Sequence, residues 1–170
     1  GIVFSSTYLS LCIYCSNHKD KYVLENTIPY NIIPAIKDMI EKGYITKNTK
    51  IDIAGGESTI DENFNELVSL LVNSGIKDIN INTNAVKYSD SIRQGVNSGC
   101  ISVITSIDAG SRKCFKDIKS FDLYDTVWAN LSKYARANKK GNKNTVRSKY
   151  IVIPRVNDSK NEIRKFILKS

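Results

Sequence analysis

The sequence predicts an α/β protein built on a mostly parallel sheet, and three observations lead there. Short apolar runs rich in β-branched residues alternate with longer runs whose apolar residues recur at helical spacing. The alternation repeats about five times within 170 residues, so successive strands are joined by crossovers, the connection that parallel strands require. The glycines and polar residues that break the pattern collect at strand ends. Two architectures satisfy these observations: an open doubly wound sheet, or part of a (βα) barrel.

The elements follow in order. IVFSS (2–6) reads as a first strand. In NIIPAIKDMIEKG, Ile33, Ile36 and Ile40 share a helix face, Asn31 is placed to cap it and Gly43 to close it. KIDIAGGE (50–57) is a second strand ending in glycines. Phe64, Leu67, Val68 and Leu71 then mark a helix, with Asp61 as N-cap and Gly75 as its stop. DININ (78–82) is a third strand, followed by a short helix carrying Ile92 and Val96 between Ser89 and Gly99. CISVITSID (100–108) is a fourth strand and the most continuously apolar one. The next helix, DLYDTVWANLSKYARANKKG, aligns Leu123, Val127, Leu131 and Tyr134 on one stripe. VRSKYIVIP (146–154) is a fifth strand, and Ile163, Phe166 and Ile167 mark a last helix. That helix runs to the end of the sequence without a cap, which reads as a domain cut from a longer chain, residues 1–170, with the C-terminal portion of the same chain as an expected partner.

Composition narrows the classes. At 41% hydrophobic and 25% charged residues the chain has ordinary globular composition and the length of one domain. No apolar run approaches the roughly 20 residues that span a bilayer, and no leader-like segment is visible, so a cytoplasmic protein with no membrane contact is expected. The formal charge of +8 suits an anionic partner in principle. Its densest patch, ANKKGNKNTVRSK (137–149), carries no aromatic residue to stack on bases, and a nucleic-acid partner is not expected.

In parallel α/β folds chemistry gathers at the carboxyl ends of strands. There the sequence places Cys12 and Cys15 after the first strand, Gly55, Gly56 and Glu57 after the second, Thr83 and Asn84 after the third, Ser106 and Asp108 after the fourth, and Pro154 and Asn157 after the fifth. Turns need such residues anyway, and CxxC alone also suits zinc or a redox dithiol. A thioredoxin-like helix start does not follow the pair, and closed zinc coordination lacks partners. His18 is the single histidine, and Cys100 falls at the opposite end of its strand.

Taken in order, YLSLCIYC (8–15), IAGGE (53–57), NTN (82–84) and TSIDAG (105–110) resemble the radical SAM superfamily, which carries CxxxCxxC after its first strand and a GGE-like motif after its second. The resemblance implies a partial barrel of parallel strands, here with about five βα units. It implies an enzyme that binds a 4Fe–4S cluster and S-adenosylmethionine and generates a 5′-deoxyadenosyl radical to abstract hydrogen from a substrate. It assigns Cys12 and Cys15 to the cluster. Gly55, Gly56 and Glu57 fall to the amino group of S-adenosylmethionine, Ser106 and Asp108 to its ribose or carboxylate end, and Asn84, Tyr14 and Ile153 to its surroundings.

Tyr8 stands where the family pattern has its first cysteine. Four explanations fit: a homologue that has lost radical chemistry, a phenolate ligand, a substitute thiol at Cys114, or an altered position. The ordinary reading of Cys114 is a small apolar residue on a helix beside Phe115. The alternative function is therefore a non-catalytic binding domain lacking a full cluster.

Overall fold

A computed structural model describes residues 2–3, 12–13, 31–139, 141 and 144–170. Five strands form one sheet: β1 (Ile2–Val3), β2 (Lys50–Ala54), β3 (Asp78–Asn82), β4 (Ile101–Ser106) and β5 (Val146–Lys149). Every neighbouring pair is parallel and the spatial order is β1-β2-β3-β4-β5. A doubly wound sheet reverses direction at a switch point. This one never does, so the partial-barrel alternative is the fold.

The crossovers carry α1 (Ile33–Glu41), α2 (Phe64–Asn73), α3 (Asp90–Ser98), α4 (Arg112–Lys119) and α5 (Tyr124–Ala137), and α6 (Lys160–Lys169) follows β5. Of the three expected N-caps, Ser89 caps α3, while Asn31 and Asp61 stand before Ile32 and Asn63, the residues at the cap positions of α1 and α2, and bond to the chain just inside or at them. The Asn31 side chain accepts from Ile33 N–H at 3.0 Å, Asp61 accepts from Asn63 N–H at 2.8 Å, and Ser89 accepts from Ile92 N–H at 3.3 Å. Gly43, Gly75 and Gly99 take the left-handed conformation that ends helices.

Three elements depart from the sequence reading. β5 stops at Lys149 instead of continuing to residue 154, because the Ile151 and Ile153 N–H groups turn to side-chain acceptors. Between β4 and β5 there are two helices, α4 as well as α5. Leu123, placed on the apolar stripe of α5, precedes that helix and is 41% exposed, while Val127, Leu131 and Tyr134 are buried as expected.

The strands alternate. Ile51, Ile53, Ile79, Ile81, Ile101 and Val103 are buried in one core with the apolar faces of the helices. Their neighbours Asp52, Asn80, Asn82, Ser102 and Ser106 are half-buried on the other face. A parallel sheet covered on both sides is normally apolar on both. Here one face is packed by helices and the other is polar, the arrangement of a barrel wall facing a ligand-holding lumen. The register sets Asp52, Asn80 and Ser102 in one row across that face and Ile104 beside Arg147, with Ser106 beside Lys149. Asn80 Nδ2 donates to Asp52 Oδ1 at 3.0 Å. Among the described residues no helix is long and apolar enough to cross a membrane.

Candidate functional site

The site is built at the carboxyl ends of the strands. Val3 pairs with Ala54, so the chain leaving β1 toward the cysteine pair and the chain leaving β2 toward the glycines emerge side by side. Gly55 and Gly56 turn the chain with φ of 98° and 52°, values that side chains with a Cβ rarely adopt. Both remain at least partly accessible. They form a bare stretch of backbone that a ligand can approach.

Glu57 follows and is 1% exposed. Its Oε1 accepts from Thr59 N–H at 3.2 Å, from the Thr59 hydroxyl at 2.5 Å and from the Thr83 hydroxyl at 2.6 Å. Its Oε2 accepts from Asn84 N–H at 2.6 Å. The carboxylate thus fastens the end of β3 to the turn after β2, with charge-assisted bonds that are among the stronger kind. Asn84 Oδ1 in turn accepts from Val86 N–H at 3.2 Å and the Thr83 hydroxyl accepts from Ala85 N–H at 2.9 Å, so both side chains are tied into the same rim.

Ser106 ends β4, half-buried and beside Lys149 in register. Asp108 lies two residues on with φ 62° and no exposure. Its Oδ2 meets Lys119 Nζ at 2.6 Å and its Oδ1 accepts from Ile151 N–H at 2.7 Å. The carboxylate is therefore engaged inside the protein; the sequence reading had named it, with Ser106, for the ribose or carboxylate end of the cofactor. Ile153 is half-buried and packs against the core edge, its N–H donating to Asn157 Oδ1 at 2.6 Å. Tyr150 donates to Asn157 O at 2.6 Å, and burial pushes its phenol up to about 12.

Cys12 is half-buried, and the next residue's N–H, at Ile13, donates to Ile118 O at the end of α4 at 3.1 Å. The cysteine loop therefore meets α4 across the rim. Tyr8, Tyr14, Cys15 and His18 lie outside the described residues. Among the described residues no three His, Cys, Asp or Glu side chains stand together as a metal site. Cys114 does not supply one: it is buried on α4, and burial together with Glu162 pushes its thiol up to about 11, away from the thiolate a metal needs. Cys114 is expected to resist alkylation at pH 8 in the folded chain and to react only on unfolding, as peptide mapping would register. Cys100 lies just before β4, at the opposite end of the sheet, with its sulfur near Ser98 and Gly95.

Two groups are implied, and the donor sets differ in how they meet them. The open diglycine backbone fits the close approach of an amino-acid moiety. For an iron–sulfur cluster the sequence supplies two thiols in one loop, Cys12 and Cys15, with Tyr8 at the third position of the spacing. Lys119 was not foreseen, since a lysine ending a helix looks like any solvent-facing one. Asn157 was placed at the rim, but its burial has no signal in the residues around it.

Comparison with known proteins agrees with this layout. A family model described as the radical SAM superfamily matches residues 10–167. A GTP 3′,8-cyclase from Thermodesulfovibrio yellowstonii is 28% identical over 161 residues, covering 92% of this chain and 47% of the relative. The chain thus spans about half the length of that curated relative. Among solved structures, Streptococcus suis SuiB bound to precursor peptide SuiA superposes with a TM-score of 0.68 at 17% identity, over 98% of this chain and 35% of SuiB. A radical SAM methyltransferase from Sphaerobacter thermophilus gives 0.53 at 18% identity, over 81% of this chain and 41% of its own. These two likenesses concern the fold. With all but a few terminal residues inside the family match, the chain belongs to the radical SAM superfamily.

Proposed function

We propose that this chain is the core of a radical SAM enzyme, holding a 4Fe–4S cluster and S-adenosylmethionine at the rim and its substrate over the polar sheet face. The observation that carries the reading is the joining of β1, β2, β3 and β4 ends at one rim, next to a polar, half-buried sheet face. Cys12 and Cys15 would hold iron, with Tyr8 at the third position. Such a cluster, once reduced, would supply the electron for reductive cleavage of the sulfonium of S-adenosylmethionine, and so the 5′-deoxyadenosyl radical for hydrogen abstraction.

The protein's own part is placement. Gly55 and Gly56 admit the amino-acid end of the cofactor to the backbone, and Glu57 holds that turn against Thr83 and Asn84. Ser106 offers a hydroxyl at the end of β4, two strands along the same rim. Arg147 and Lys149, both exposed, stand next to Ile104 and Ser106 in register and give the polar face a cationic margin. Asp108 supports the rim from beneath through Lys119 and Ile151.

The second reading, a binding domain without radical chemistry, is favoured by Tyr8 alone. Anaerobic reconstitution with iron and sulfide separates the two. Bound iron with charge-transfer absorbance is expected for the enzyme core, approaching about four irons per chain where all three thiols of the spacing are present. Tyr8→Cys is expected to raise iron occupancy. A wild-type chain that stays colourless and binds S-adenosylmethionine belongs to the second reading, and one in which Tyr8→Cys also takes up no iron has no cluster loop.

A further inference from the structure

Of the ion pairs among the described residues, one has both partners buried: Lys119 Nζ to Asp108 Oδ2 at 2.6 Å, with side chains 5% and 0% exposed. A lysine at the last residue of a helix normally runs its head out to water. Burying such a pair brings a desolvation penalty that rivals its Coulomb attraction, so stability alone is a weak account of it. What distinguishes this pair is where its contacts lead.

From Asp108 they lead to the segment after β5. The Asp108 carboxylate accepts from Ile151 N–H, and the Asp108 carbonyl accepts from Asn157 Nδ2 at 2.7 Å. Asn157, fully buried, also donates to Ile151 O at 2.8 Å and accepts from Ile153 N–H. From Lys119 they lead the other way. It ends α4, and the carbonyl just before it, at Ile118, is the one that receives Ile13 N–H beside Cys12. Ser120, with φ 65°, turns the chain away at that point.

We propose that Lys119 and Asp108 are positioning residues: their ion pair fixes the end of α4 against the β4 rim and thereby sets where the Cys12–Ile13 stretch lies. The inference rests on the reading of Cys12 and Cys15 as cluster ligands. It adds a residue from α4 that touches neither iron nor cofactor.

The test is the alkylation rate of Cys12 in the iron-free chain, followed by peptide mapping. Asp108→Asn/Lys119→Met removes both charges at similar volume, a replacement that buried pairs commonly tolerate. Asparagine also accepts the left-handed backbone at position 108. The rate at Cys12 is expected to rise about tenfold, as the tie between Ile13 and Ile118 opens more freely. Lys119→Gln, whose amide still donates, is the milder second variant and is expected to give a smaller rise. Val68→Ala, a core truncation in α2, is the control: it lowers the melting temperature and leaves the Cys12 rate unchanged, because loss of stability elsewhere does not move the Ile13–Ile118 contact. Wild-type rates in either folded charge variant overturn the proposal, as does equal acceleration in Val68→Ala. The labelling uses no iron, so a wild-type chain that fails reconstitution counts against the proposed function while this result still stands.

Discussion

Glu57→Ala is expected to lower stability by about 3 kcal/mol or more and to abolish measurable S-adenosylmethionine binding. The carboxylate accepts four hydrogen bonds at 1% exposure, from Thr59, Thr83 and Asn84. Truncation strands those donors in a buried site, where each unsatisfied group costs about 1–3 kcal/mol. The loss falls on the turn at Gly55–Gly56, because Glu57 is what joins it to β3. Glu57→Gln separates the two consequences. An amide oriented with its oxygen toward Thr59 and Thr83 retains three of the contacts and opposes a donor to Asn84 N–H. It is expected to cost about 1–2 kcal/mol and to weaken the cofactor without abolishing it. Thermal melts and isothermal titration read the pair of variants. A Glu57→Ala chain that melts like wild type and binds S-adenosylmethionine unchanged would remove Glu57 from the site.

Gly110→Ala is the second large effect. A Cβ at Gly110 would sit 2.0 Å from the Glu162 carbonyl oxygen and 2.8 Å from Lys165 Cβ, both on α6. Helix backbone cannot swing aside as a flexible side-chain tip does, so α6 must shift. The same contact loses Gly110 N–H to Glu162 Oε2 at 3.0 Å and strains Tyr124 OH to Gly110 O at 2.9 Å. Overpacking of this kind costs about 1–3 kcal/mol, occasionally more, and in a chain of this size each kcal/mol lowers Tm by about 2–4 °C. Gly43→Ala is the contrasting variant. It has φ 76° with nothing within 4 Å, so its cost is conformational, about 1 kcal/mol. A Gly110→Ala melt no lower than that of Gly43→Ala would refute the close approach of α6.

Much of this architecture was legible because it is written locally. DININ alternates between core and polar face and becomes β3 with the bounds read from sequence. Ser89 and Gly99 bracket α3 as cap and stop. YIVIP misled, because an apolar β-branched run reads as a strand whether its N–H groups pair with a neighbour or, as here, with Asp108 and Asn157. α4 went unplaced because RKCFKDIK is mostly charged, and its buried apolar side chains are few: Cys114, Phe115 and Ile118. At the site, the order of the motifs was readable, but the use of each side chain was not. Glu57 and Asp108 are recognisable acids at strand ends. That both turn inward to bind their own chain depends on partners 26 and 11 residues away, Thr83 and Lys119. No periodicity encodes such pairings.

The strand order has a consequence for how the chain reaches its native state. Each strand pairs with the ones before and after it in sequence, so every pairing closes a loop of a few dozen residues and none waits on a distant segment. Closure entropy grows only slowly with loop length, which leaves the successive pairings with similar costs. Assembly can therefore spread outward from the β2–β3–β4 centre to either margin without threading.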